Sequence, residues 1–262
     1  RVSRSHQPRK RFGQNFLRDA QVIDTIIQAV APGTKDIVVE IGPGQGALTQ
    51  SLARGCQQLH LVELDRDLVA TLQRDYADHA SVTVHASDVL QFSFTELAAQ
   101  YGAPLRVLGN LPYNISTPLL FHLFKQLAVI DDMHFMLQRE VVQRITAQPG
   151  NKDYGRLSVI SQYYCDTESL FDVHPEAFFP APKVMSSILR LRPHASPRWP
   201  ANNTDTLQRV VKAAFAQRRK TLRNTLKGVV TSDHLEALSI DPGCRAESLS
   251  VEQFVAISNS IE

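Results

Sequence analysis

No stretch of this chain stays apolar for the roughly 20 residues that a membrane-spanning helix requires, which rules out a helical bilayer span. Cysteine is equally scarce. The three residues, Cys56, Cys165 and Cys244, form no C-x-x-C pair. An odd, sparse cysteine set with no secretory leader predicts no disulfide and a reducing, cytoplasmic compartment. The nine histidines show no H-x-x-x-H or other paired ligand spacing, so no metal site is expected, and they are assigned to surface and loop positions. Internal repeats and low-complexity tracts are absent. No exposed apolar heptad appears, and a monomer is expected. Position 1 is Arg rather than Met, so residues are expected to precede it.

Acids are missing from two particular places. Residues 1–18 carry Arg1, Arg4, Arg9, Lys10, Arg11 and Arg18 with no Asp or Glu, and residues 206–232 carry Arg209, Lys212, Arg218, Arg219, Lys220, Arg223 and Lys227, again with none. The formal net charge of +2 therefore conceals basic stretches at both ends of an acidic body. Such stretches suit a phosphate backbone, and Arg9, Lys10, Arg11, Arg218, Arg219, Lys220 and Arg223 are the candidate nucleic-acid contacts.

What is present is a series of short apolar runs, each closed by a polar residue. Ile37 to Ile41 reads as a strand, followed by Gly42-Pro43-Gly44-Gln45-Gly46 and a helical pattern from Ala47 to Arg54. Glycines such as Gly42 and Gly44 let a backbone approach a nucleotide-like ligand closely. Two more runs end in Glu63 and Asp88. Glu63 lies about as far from the glycine turn as the acid that meets ribose hydroxyls in dinucleotide-binding units. The fourth run, Leu105 to Gly109, leads into Asn110-Leu111-Pro112-Tyr113. Four successive strands thus end in Gly42, Glu63, Asp88 and Asn110, where open α/β sheets bind their ligands.

The tetrapeptide suggests a chemistry. The Asn110 side-chain oxygen and the Leu111 backbone carbonyl, held by Pro112, can accept the two hydrogens of a planar exocyclic amine while Tyr113 stacks on its ring. Acceptors placed off the ring plane favour a more tetrahedral, more nucleophilic nitrogen. An Asn-Pro turn without function is the alternative reading of these residues alone.

At this point the chain resembles the S-adenosylmethionine-dependent adenine dimethyltransferases of ribosomal RNA, and among them the bacterial small-subunit (16S) type. The resemblance covers nearly the whole chain. It rests on Lys10 to Leu17, Glu40 to Gly46, Glu63-Leu64-Asp65, Asn110 to Thr117, Phe178 to Val184 and Gln217 to Thr221. It implies a Rossmann-like α/β sheet with helices on both faces, a small all-helical C-terminal domain, and S-adenosylmethionine as cofactor. It implies that Asn15, Leu17, Gly42, Glu63, Asp88 and Asn110 form the cofactor site, with Glu63 on the ribose and Asp88 on the adenine amine. Tyr113 and Phe178 become the two faces of a clamp on the target base. The implied substrate is two adjacent adenosines in the loop near the 3′ end of small-subunit RNA, within the immature 30S particle, each dimethylated at N6.

The boundaries expected are a catalytic domain over 1–192, a linker over 193–203 containing Pro193, Pro197 and Pro200, and a helical RNA-binding domain over 204–262. In that last part Leu207, Val210, Val211, Ala214 and Phe215 recur at helical spacing, with Leu222 and Leu226 continuing the stripe. Ser250 and Gln253 read as a capping box. Alternatives are an enzyme acting on DNA adenine or protein glutamine, a resistance-type enzyme acting on large-subunit RNA, and an assembly factor whose main effect is occupancy of immature small subunits. Leu111 and Phe179-Pro180-Ala181-Pro182 look more like the small-subunit enzymes than the resistance type.

Overall fold

The central strands of the chain are buried on both faces. In the computed structural model, which describes residues 15–261 apart from Tyr113, strand β2 (Ile37–Ile41) follows the two-residue β1 (Phe16–Leu17) and helix α1 (Ala20–Val30). All five β2 residues are buried, as expected of an inner strand in a parallel sheet. Helix α1 starts at the Asp19 cap, whose carboxylate accepts the Gln21 and Val22 amides, and it buries Ile26 and Val30. Thereafter strands and helices alternate through α2 (Thr49–Gly55), β3 (Gln58–Glu63), α3 (Arg66–Asp75), β4 (Val82–Ala86), α4 (Phe94–Tyr101), β5 (Leu105–Asn110), α5 (Ser116–Phe124) and β6 (Ile130–Gln138). Asp65 caps α3 and Ser93 caps α4, so these two helices start at a side-chain signal of their own, whereas α2 and α5 start without a side-chain cap.

The chain continues through α6 (Arg139–Thr146), α7 (Arg156–Tyr164), β7 (Cys165–Val173), β8 (Phe178–Phe179) and β9 (Ser186–Pro193). The sheet order is β4-β3-β2-β5-β6-β9-β7, with β4 to β6 parallel and β9 antiparallel to β6. Helices cover both faces, so the expected Rossmann-like α/β architecture is found. Strand order reverses between β2 and β5, which opens a crevice at their carboxyl ends. Far from that crevice, Arg106 on β5 bonds Asp132 through two nitrogens at 2.9 and 2.7 Å and Asp36 at 2.7 Å. It also donates to the carbonyls of Val30 and Ala31, which tie the end of α1 to the sheet. Removing Arg106 would strand two half-buried carboxylates, a loss of about 3–5 kcal/mol.

The chain divides into two compact units, one comprising Arg1–Val142 with Glu168–Pro193 and the other Gln143–Thr167 with His194–Glu262. The second unit therefore takes in residues 143–167, which the sequence places in the first domain. It contains α7, α8 (Thr204–Ala214), α9 (Leu222–Thr225), α10 (Ser232–Ala237) and α11 (Val251–Asn259). Its core joins Leu207, Val210, Val211 and Ala214 to Phe254 and Ile257. A row of rings, Tyr154 to Phe215 to Phe254, has centroids 6.1 and 5.6 Å apart. The Ser250–Gln253 capping box forms as expected and starts α11. The stripe does not continue as one helix. Helix α8 ends at Phe215, and Leu222 and Leu226 are buried from a separate short turn of helix.

Candidate active site

The carboxyl ends of β2, β3, β4 and β5 are neighbours in the sheet, and they surround a cavity of about 350 Å³ lined by residues from Asn15 to Phe178. Volumes of this order hold small cofactors. Every strand-end residue expected at the site is there: Gly42, Glu63, Asp88 and Asn110 all line it, with Asn15, Leu17, Gly44, Leu111, Pro112 and Phe178. Gly42 and Gly44 have φ of +62° and +58°, a region that other residues enter only with strain. A Cβ on Gly44 would lie 3.0 Å from the Phe16 ring, so this turn is pressed against β1 as well as bent.

The acids of the cavity are held, not loose. Glu63 accepts the Leu64 and Asp65 amides on one oxygen, each at 2.9 Å, and the Gly44 amide on the other at 3.3 Å. Burial pushes its pKa up, opposed by those three amides. Asp88 caps a short turn through the Leu90 amide at 2.9 Å while lining the cavity, so the helix-start role and the site position coincide in one residue. Glu40 was not singled out from the sequence, yet it also lines the cavity. It is 2% exposed and takes a 2.7 Å hydrogen bond from the Thr49 hydroxyl. Burial pushes its carboxyl up to about 7, with the Thr49 bond lowering it and the Glu63 charge raising it further. The available signal was a lone acid inside an otherwise apolar buried strand, which is costly unless used.

Asn110 closes the cavity at the end of β5. Its side-chain nitrogen donates to the Asn15 backbone carbonyl at 3.0 Å, which fixes the amide's orientation and leaves Oδ1 as an acceptor with no partner among the described residues. The Leu111 amide donates to the Met136 carbonyl at 3.2 Å, and the Leu111 carbonyl accepts no hydrogen bond among the described residues. Two unpaired acceptors thus lie one residue apart. Gly109 makes their placement possible: a Cβ there would lie 2.3 Å from the Ile41 carbonyl oxygen, so no other residue lets β5 and β2 run this close. Tyr113, Arg9, Lys10 and Arg11 lie outside the described residues.

Phe178 is 5% exposed and pairs with Leu17 in a two-stranded antiparallel ribbon of β1 and β8, which brings it to the cavity across 160 residues of sequence. Arg218, Arg219 and Lys220, by contrast, occupy the exposed segment between α8 and α9, Arg223 is exposed within α9, and no ion pair engages them among the described residues. Among the described residues no three His, Cys, Asp or Glu side chains are grouped to hold a metal ion, and no helix is long and apolar enough to cross a membrane. Two histidines differ from expectation. His60 and His134 are buried, His60 between His85 and Tyr101 at 2.9 Å from each, because strands β3 and β6 are covered on both faces.

Residues 5–262 match the family described as ribosomal RNA adenine dimethylase. The chain belongs to that family. Its relatives include "Ribosomal RNA small subunit methyltransferase A" of Tolumonas auensis, 51% identical over 258 residues that cover 98% of this chain and 96% of that protein. The protein of the same description from Coxiella burnetii is 54% identical over 251 residues, 96% of each chain. Solved dimethylase-like folds superpose as well. A dimethyladenosine transferase from Plasmodium falciparum aligns with TM-score 0.79 at 24% identity, covering 92% of this chain and 95% of its own. The 23S rRNA methyltransferase ErmE aligns at 0.73 and 24% identity over 94% and 99%. At such identity the two structures speak for the fold alone.

Proposed function

We propose that this member of the dimethylase family transfers methyl groups from S-adenosylmethionine to N6 of two adjacent adenosines in the loop of the 3′-terminal hairpin of small-subunit (16S) rRNA, in the cytoplasm, late in 30S assembly. The observation that carries the reading is the pair of unpaired acceptors, Asn110 Oδ1 and the Leu111 carbonyl, beside Phe178 at one cavity. Relatives at 51–54% identity over almost the whole chain carry the small-subunit description, and this supports it over the large-subunit alternative.

The residues present fit the cofactor. Glu40 and Glu63 make the cavity electronegative, which favours a ligand with sulfonium and ammonium charge, and Glu63, already on the glycine turn, is set to receive ribose hydroxyls. Asp88 would take the adenine amine, with Asn15, Leu17, Gly42 and Gly44 completing the walls. When bound, S-adenosylmethionine supplies an electrophilic methyl group whose departure leaves a neutral thioether. The chain's own work is then positional. Asn110 and Leu111 accept the target amine's hydrogens, Pro112 holds their spacing, and Tyr113 and Phe178 stack the base. Stacking of roughly 1–3 kcal/mol per base is comparable with the cost of extruding one, which favours a loop adenine over a paired one.

A second reading, an assembly factor acting by occupancy, is favoured by the unpaired cations at 218–223, which suit phosphate contacts independent of chemistry. The two readings are compatible in one monomeric protein. Labelled methyl transfer to small subunits lacking modification, with large subunits, naked RNA and DNA in parallel, tests both. Dimethyladenosine from small subunits alone is expected. Methylation of large subunits instead, or of none of the nucleic acids, would overturn the proposal.

A further inference from the structure

Phe179 is the most exposed Phe, Tyr or Trp among the described residues, 52% exposed in a strand whose preceding residue, Phe178, is buried at the cavity. The two rings are consecutive and diverge, as side chains on a strand do. Phe179 is also not bare. The Arg18 guanidinium carbon lies 4.4 Å from its ring centroid, a cation–π contact. Backbone pairing fixes this partnership: Phe16 registers with Phe179, and the Arg18 and Asp19 amides both donate to the Ala177 carbonyl, at 2.8 and 3.3 Å. The neighbouring acid does not compete for the guanidinium, because Asp19 Oδ1 is taken by the amides of Gln21 and Val22. Arg18 has no ion-pair partner among the described residues. Beyond Phe179 the chain runs from Pro180 to Pro193 without an acid, with Lys183 exposed.

A structural role explains little of this. A ring that is half in solvent adds little to the core, and an unpaired arginine laid over it gains little in water. Together they present an aromatic face and a cation next in sequence to Leu17 and Phe178, which line the cavity. A single-stranded nucleic acid passing them offers a base to the ring and a phosphate to the guanidinium. We propose that Phe179 and Arg18 form a second, outer stacking platform that holds the nucleotide adjoining the target adenine while the target occupies the cavity. This rests on the RNA-methylating reading above. It gives neighbouring adenosines a reason to be substrates together: the platform that holds one while the other reacts is one residue from Phe178.

The test uses the full chain and unmodified small subunits. Phe179→Ala raises the KM for subunits about tenfold, as loss of one stacked base predicts, with the effect in KM rather than kcat. Phe179→Trp restores KM, and Arg18→Ala lowers the salt dependence of binding by about one phosphate contact. Calorimetric affinity for S-adenosylmethionine stays within about twofold of wild type in all three, which also reports an intact fold, because a stacking loss outside the cavity leaves the cofactor walls in place. In a hairpin RNA with 2-aminopurine beside the target adenosine, wild type quenches the fluorescence and Phe179→Ala does not. Phe179→Ala with wild-type KM and quenching would overturn the platform alone. Wild-type protein that methylates no small subunit would overturn the reading beneath it.

Discussion

The cavity of the sheet unit and the cationic segment of the helical unit treat polar groups in opposite ways. In the cavity the key side chains are already held: Glu63 by three amides, Asp88 by its turn, Glu40 by Thr49, Asn110 nitrogen by Asn15. Along 218–223 the charges are exposed, with no ion-pair partner among the described residues. The first arrangement fixes geometry before a ligand arrives, which is where catalytic advantage is largest. The second releases counterions and tolerates imprecise placement, which provides affinity without selecting an atom. On the proposed function, one region determines what reacts and the other determines how long the substrate stays.

The sharpest way to break the contrast is from inside the sheet. Gly109→Ala puts a methyl group against the Ile41 carbonyl. Overpacking of that kind costs about 1–3 kcal/mol or more, and it displaces Asn110 in the same stroke. Urea unfolding should show the loss and methyl transfer should vanish; wild-type stability would mean that β2 and β5 can separate freely. Asn110→Ala comes next. It should leave the unfolding midpoint nearly unchanged and reduce turnover by about a hundredfold or more, the scale of losing one fixed transition-state partner. Full turnover by that variant on small subunits would remove the role assigned to it.

A smaller effect is expected from the other region. Arg218→Ala with Arg219→Ala should weaken binding to small subunits and flatten its logarithmic salt dependence by about two. Cofactor affinity measured by calorimetry should not change. A loss of turnover at saturating substrate in that double variant would show that the two regions are not separable. The smallest effect belongs to Glu40. Its carboxyl is raised to about 7 from 4.5, so it takes up a proton that the unfolded chain has lost, and the ligand-free protein loses that stability as pH rises through 7. Ionisation over the same interval favours a cationic ligand. S-adenosylmethionine should therefore bind more tightly from pH 6 to 8, by less than about tenfold, while the neutral-sulfur product responds less. Glu40→Gln should abolish the difference between the two ligands' pH profiles.

Most of the sheet could be read from the chain because buried parallel strands announce themselves as unbroken β-branched runs, and their polar ends gave Gly42, Glu63, Asp88 and Asn110 directly. The features that escaped depend on distant partners. Gly109 looks like an ordinary small residue until the Ile41 carbonyl is set beside it. Glu40 looks like a strand terminus until both faces of β2 are covered. The Asn110–Asn15 bond joins residues 95 positions apart, and no local pattern encodes it. The apolar stripe running from Leu207 to Leu226 correctly marks what is buried, yet it cannot show that the helix stops at Phe215, since a second short helix presents leucines to the same core. Residues 143–167 gave no compositional sign that they pack with the C-terminal helices.

The β1–β8 ribbon has a consequence for the order in which the protein becomes competent during synthesis. Asn15 leaves the ribosome early, but the strand that seats its neighbours, Phe178–Phe179, is translated more than 160 residues later. At about 5–20 residues per second that interval is on the order of 10–30 seconds. Until it has passed, the Asn110 amide lacks the carbonyl that orients it, so a nascent chain can hold the parallel strands β2 to β6 and still be silent. The residues of β1 wait for a partner strand made long after them.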